Sequence, residues 1–178
     1  MTRRGTIDAL AARLPGLSAP RDARSLTLAA MLAAVYTVVS FALLPLSFGI
    51  VQVRVAEALT LLPVFSPAAI WGVTVGCLLT NLIGVATGAV LPMDIFVGTA
   101  ATLLAALFTR KLRGFTWRGL PVVSVLPPVV FNGIFVGAEL TWMFTPDTPA
   151  LFWMNAASVA AGELAACGVL GLALVWCI

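Results

Sequence analysis

Histidine is absent from this 178-residue chain, and its three cysteines, Cys77, Cys167 and Cys177, fall in apolar segments without CxxC spacing. Neither a zinc site nor a disulfide framework is supported by such a set, and lone cysteines of this kind read as small packing residues. Charge is scarce too: Asp, Glu, Lys and Arg make up 10% of the chain against 61% hydrophobic residues, with a mean hydropathy of +1.09. Soluble domains carry about a quarter charged residues, so the chain reads as an integral membrane protein. The polar–apolar alternation of β-barrel strands is missing, whereas continuous runs of Ala, Leu, Val and Gly point to transmembrane helices. Net charge is +3, but apart from Arg54 the basic residues gather in two patches without interleaved aromatics, which excludes a nucleic-acid stripe. No GxxxxGK[ST] loop is present, so ATP hydrolysis of that type would need another chain.

The first patch, Arg3, Arg4, Arg13, Arg21 and Arg24, marks residues 1–24 as a basic cytoplasmic tail rather than a cleaved signal. Within it, Thr6 to Leu14 is compatible with a short surface helix. Residues 25–178 are expected to form an all-α bundle of six transmembrane helices. The first, from about Ser25 to Leu44, has the roughly 20 residues a bilayer core requires and ends at Pro45. Its Ala29, Ala30, Ala33 and Ala34 form two overlapping small-xxx-small pairs. The second, between Arg54 and Pro67, is short, about 18 Å at 1.5 Å per residue, and contains Pro63. It counts as a crossing because the second basic patch, Arg110, Lys111, Arg113 and Arg118, also belongs on the cytoplasmic side, and an even number of crossings must separate the two.

The third span, about Ala68 to Val85, has Gly72, Gly76, Thr80, Gly84 and Gly88 at every fourth position, a ridge suited to close helix approach. The fourth starts after Pro92, with Asp94 in its first turn, where an acid reads first as a helix-start signal. The fifth runs from about Pro121 to Phe144, with Pro127 and Pro128 expected to kink or break it. The sixth covers about Ala150 to Trp176. Both termini are then cytoplasmic, in a multi-pass protein of the cell membrane.

Each charge exposed to lipid costs about 2.5–3.5 kcal/mol on an insertion scale, so the few present carry information. Arg54 and Glu57 are three apart and adjacent if helical, which suggests an ion pair. Residues 50–55 alternate apolar and polar, as in a short plug-like loop. In the six-span topology Arg54, Glu57, Asn81, Asp94, Glu139 and Asn155 converge from separate segments on the outer half. Asn132 shares a helix face with Glu139, and Glu163 lies deeper, as a floor. These eight are the candidate substrate-binding residues; a purely structural buried Glu–Arg pair is the alternative.

Three blocks carry a resemblance: Ile50-Val51-Gln52-Val53-Arg54-Val55-Ala56-Glu57-Ala58-Leu59-Thr60-Leu61-Leu62-Pro63, Gly76-Cys77-Leu78-Leu79-Thr80-Asn81-Leu82, and Asp94-Ile95-Phe96-Val97-Gly98-Thr99-Ala100-Ala101-Thr102-Leu103. With Phe152-Trp153-Met154-Asn155-Ala156 and Ala161-Gly162-Glu163-Leu164, they make the chain similar to the QueT family from about Ser25 to Trp176. That resemblance implies a substrate-binding S component of an energy-coupling factor (ECF) transporter for queuosine precursors. Its six helices would hold a pocket near the outer face, closed in part by the loop after helix 1. It would dock through helix 1, at alanines 29, 30, 33 and 34, onto a transmembrane coupling subunit served by two ATPase subunits. A deazaguanine would offer paired N–H donors to carboxylates and a carbonyl to Asn or Arg. Trp142, Phe152 or Trp153 would stack on its ring, although Trp153 reads better as part of an interfacial belt. No cofactor or metal is implied. A secondary carrier also fits buried acids but lacks a visible inverted repeat, and an intramembrane enzyme using Glu139 and Glu163 lacks a supporting constellation. The chain is therefore not expected to be an enzyme.

Overall fold

A computed structural model describes residues 19–43 and 54–178. The expected surface helix at Thr6 to Leu14, Pro45 and most of the plug-like loop lie outside the described residues. Helix α1 is Ala23–Ala42. It starts two residues before the apolar run because Asp22 caps it, accepting a hydrogen bond from the Ser25 amide at 3.0 Å. A 3-10 helix, Val55–Val64, precedes α2, Ala68–Ala86. A 3-10 turn at Pro92–Ile95 leads into α3, Val97–Lys111. Another at Val122–Val125 leads into α4, Leu126–Phe144. The last span joins α5, Phe152–Glu163, a π-helical stretch, Leu164–Gly171, and α6, Leu172–Cys177.

Five of these helical stretches are long and apolar enough to cross a membrane, and Val55–Val64 is a shorter apolar sixth. The all-α membrane bundle read from composition is therefore present. Pro127 and Pro128 do not kink α4. They occupy its first turn, where no intrahelical N–H bond is lost and the ring's fixed φ suits the helix. The linker between α3 and α4 reverses at Arg118 and Gly119, both at positive φ, with Trp117 and Leu120 exchanging backbone hydrogen bonds of 2.8 and 3.0 Å. That is the geometry of a two-residue turn with left-handed central residues.

Close helix contact, which lipid cannot drive hydrophobically, comes from small residues. A Cβ added at Gly72 would lie 2.7 Å from Leu32 Cβ and 3.0 Å from the Ala29 carbonyl oxygen; one at Gly76 would lie 2.7 Å from Tyr36 Cβ and 3.1 Å from the Ala33 oxygen. The α2 glycine ridge thus receives Ala29 and Ala33 of α1, which are buried, while Ala30 and Ala34 point outward and are exposed. The two alanine pairs thus face different ways, one toward α2 and the other outward. On the other side, α4 meets α5 where Gly137 would place a Cβ 2.7 Å from Ala156 Cα.

The 3-10 helix sits at the centre, with Ala56, Glu57, Ala58, Thr60, Leu61 and Pro63 buried. A rise of about 2.0 Å per residue stretches its ten residues to about 20 Å, more than the α-helical winding would give. Its final carbonyls are held by Arg110 of α3, whose Nη1 donates to Pro63 at 2.8 Å and Val64 at 3.4 Å. A cation at a helix C-terminus is also favoured by the helix dipole. The π stretch packs along it, and Gly171 leaves room for Leu61, whose Cδ1 would be 2.7 Å from a Cβ there. The bundle therefore has one end at Arg54 and another at the basic patch.

Candidate functional site

A cavity of about 340 Å³ opens at the Arg54 end, between α1, the start of the 3-10 helix, α2, the 88–91 loop and α4. Small-molecule sites commonly begin at about 300 Å³ and are mostly apolar with a few placed polar groups, a description this cavity fits. Four of the eight candidate residues line it: Arg54, Asn81, Asp94 and Glu139.

Arg54 pairs with Asp94, Nη2 to Oδ1 at 3.7 Å, and not with Glu57 as the three-residue spacing suggests. Arg54 is the residue before the helix, at φ −84° and ψ 88°, so its side chain does not follow the helical face that carries Glu57. Asp94 caps neither the 3-10 turn in which it sits nor α3; its carboxylate turns to the cavity. Asn81 fixes this corner by donating from Nδ2 to the Asp94 carbonyl oxygen at 2.7 Å. Gly98 leaves space for all three, since a Cβ there would lie 3.1 Å from Asn81 Nδ2, 3.4 Å from Asp94 Oδ1 and 3.9 Å from Arg54 Nη1. Beside Asp94, Glu139 is only 5% exposed; its carboxyl lies within hydrogen-bonding reach of the Asp94 carboxyl, and neither of its oxygens has a hydrogen-bond donor among the described residues.

Beneath the cavity lies a second polar layer built on the 3-10 helix. Glu57 is fully buried; its Oε1 accepts from the Tyr36 hydroxyl at 2.5 Å and its Oε2 has no partner. The Glu57 carbonyl accepts from Thr60 Oγ1 at 2.6 Å and from Cys167 Sγ at 3.2 Å. Cys167 also approaches Glu163 Oε2, at 3.8 Å. Asn132 acts on both acids, although its Nδ2 makes no hydrogen bond. Glu57, Asn132 and Glu163 thus come together, but behind Tyr36 and Ala56, which form the cavity wall. Asn132 and Glu139, seven apart on α4, are about 10 Å apart along the axis and serve the two layers from one face.

Asn155 joins neither layer. Its Nδ2 donates to Thr141 Oγ1 at 2.9 Å, tying α5 to α4. Trp142 and Trp153 are exposed on the outside of the bundle, while Phe152 packs edge-on against Trp153 with ring centres 5.0 Å apart. The aromatic rings at the cavity are Tyr36 and Phe144, which sequence reasoning missed. The signal available for the first was its being the one tyrosine in the chain. Among the described residues no three His, Cys, Asp or Glu groups are placed to hold a metal ion.

A family model described as QueT transporter matches residues 26–178. The queuosine precursor transporter QueT of Lactococcus lactis subsp. cremoris (strain MG1363) is 28% identical over 144 residues, covering 76% of this chain and 81% of that protein. No solved structure matches the chain.

Proposed function

The chain belongs to the QueT transporter family, and from that membership we propose that it is the substrate-binding S component of an ECF importer for a queuosine precursor. The observation that carries the reading is the convergence of Arg54, Asn81, Asp94 and Glu139 on one cavity at the end of the bundle away from the basic patch. With the basic patch cytoplasmic, as the charge rule requires, the cavity opens outward and captures solute from outside the cell.

A 7-deazaguanine suits these groups. Its paired N–H donors meet a carboxylate, its carbonyl takes a donor from Arg54, and its ring has Tyr36 and Phe144 to stack against. The substrate named for the Lactococcus lactis relative is of this class. The deeper acids Glu57 and Glu163 support the closed floor of the site. Docking onto a coupling subunit falls to Ala30 and Ala34, the alanine pair left outward on α1, since Ala29 and Ala33 are occupied by α2. ATPase subunits complete the importer.

The test is calorimetric titration of the purified protein with a panel of 7-deazaguanines, with guanine and thiamine as controls. Tight binding of a deazaguanine, weakened at least tenfold in Arg54→Gln, supports the assignment. Folded protein that ignores the whole panel sinks it.

A further inference from the structure

We propose that Glu139, beside Asp94 in the cavity wall, is the seat of a positively charged amino group, so that the site selects a planar heterocycle carrying an ammonium over its uncharged counterparts. The inference rests on the reading of the cavity as a deazaguanine site and adds to it the charge of the ligand.

Among the described residues no donor reaches three acceptor atoms here: Glu139 Oε1, Glu139 Oε2 and Asp94 Oδ1. Buried carboxylate oxygens are ordinarily satisfied, and an orphan of this kind asks for an explanation. Glu139 is more than nine-tenths buried and lines the cavity, so a donor held inside that space would satisfy it. A primary ammonium has three N–H donors and no acceptor, which suits Glu139, whereas Asp94 Oδ1 already has Arg54 Nη2 at 3.7 Å.

The charges point the same way. Besides the phenol of Tyr36 and the thiol of Cys77, the ionisable groups at the wall are one guanidinium, Arg54, and two carboxylates, Asp94 and Glu139. Arg54 is drawn to Asp94 at 3.7 Å, while Glu139 has in Asp94 a neighbour of its own sign. Among the described residues Glu139 takes part in no ion pair, and residues 44–53, which join α1 to Arg54, contain no charged residue. A bound monocation would let both acids ionise and would bring the three side chains and the ligand to neutrality in a site walled largely by apolar groups, where an uncompensated charge is costly.

A neutral ring edge with paired N–H groups would also satisfy a carboxylate, so the decisive comparison holds the ring constant. The probes are 7-aminomethyl-7-deazaguanine and its uncharged 7-hydroxymethyl and 7-cyano counterparts, titrated at neutral pH into wild-type protein and Glu139→Gln. The aminomethyl compound is expected to bind wild type at least tenfold tighter than either neutral one. In Glu139→Gln that ratio should fall toward one, chiefly through loss of aminomethyl binding. Equal affinities in wild type overturn the inference while leaving deazaguanine capture intact, and this comparison holds whether or not the variant folds. An unchanged ratio in folded Glu139→Gln also overturns it. Absence of binding by all three compounds overturns the parent reading and this one with it.

Discussion

Asn81 shows how much of the site depends on a single amide. Its Nδ2 bond to the Asp94 carbonyl holds the turn that presents Asp94 to Arg54, and it crosses between two helices. Asn81→Ala would leave that buried carbonyl unsatisfied, a loss of about 1–3 kcal/mol. The expected result is a lower melting temperature in detergent together with ligand binding weakened about tenfold; unchanged affinity in the folded variant would remove Asn81 from the site. Asp22 makes a different prediction. The Ser25 hydroxyl and amide hydrogen bonds hold its carboxyl below the usual value of 3.8. A group whose pKa is lowered by folding stabilises the fold above its unfolded pKa and loses that contribution as pH falls through the folded one. Protection from hydrogen exchange at the first turn of α1, taken relative to the intrinsic rate at each pH, should therefore fall below about pH 4. The Asp22→Ala variant should exchange fast at every pH; a profile identical to wild type would show that the cap is not formed. Residue types for both positions are visible in the sequence, but partners are not: Asn155 looked equivalent to Asn81 and is taken up by Thr141, because its place on α5 faces α4 and not the cavity.

Among the elements, α1 is the one to whose two faces the proposed reading gives different roles. Ala33 packs at the α2 ridge beside Gly76, so Ala33→Leu and Gly76→Leu should force α1 from α2. Overpacking of this sort costs about 1–3 kcal/mol or more and should appear as lost thermal stability and lost ligand binding together. Ala30→Leu with Ala34→Leu, on the exposed face, should leave ligand affinity within about threefold of wild type, since surface changes are usually within about 0.5 kcal/mol, and should abolish coupled uptake. Uptake that survived the double variant would place the docking surface elsewhere. The winding of the central helix was not legible. Val55 to Val64 is an apolar run with one proline, equally compatible with an α or a 3-10 helix. The stretched form belongs with its setting, between Arg110 at one end and the π stretch along its side. An underwound neighbour bearing Gly171 gives Leu61 its place.

For the molecule as a whole, the separation of cavity and basic patch has a consequence for energetics. The reconstituted chain alone should bind deazaguanine without accumulating it, and accumulation should appear only with coupling and ATPase subunits and hydrolysable ATP. Concentrative uptake by the chain alone, driven by a proton gradient, would instead support a secondary carrier using the buried acids Glu57 and Glu163. The membrane class, the approximate spans and the small-residue faces follow from the amino-acid order, since hydropathy and helical spacing are local properties that each segment carries within itself. So does the identity of nearly every polar residue that matters, because polar groups are too costly in hydrocarbon to be scattered there without use. The grouping is another matter. Arg54 with Asp94 rather than Glu57, Glu139 beside Asp94 at the cavity wall, Glu57 with Asn132 and Glu163 behind Tyr36, and the division of four alanines between α2 and the exterior all depend on how each helix is rotated against its neighbours. Those rotations come from contacts between segments up to 110 residues apart, such as Cys167 with Glu57, and no local pattern along the chain encodes them.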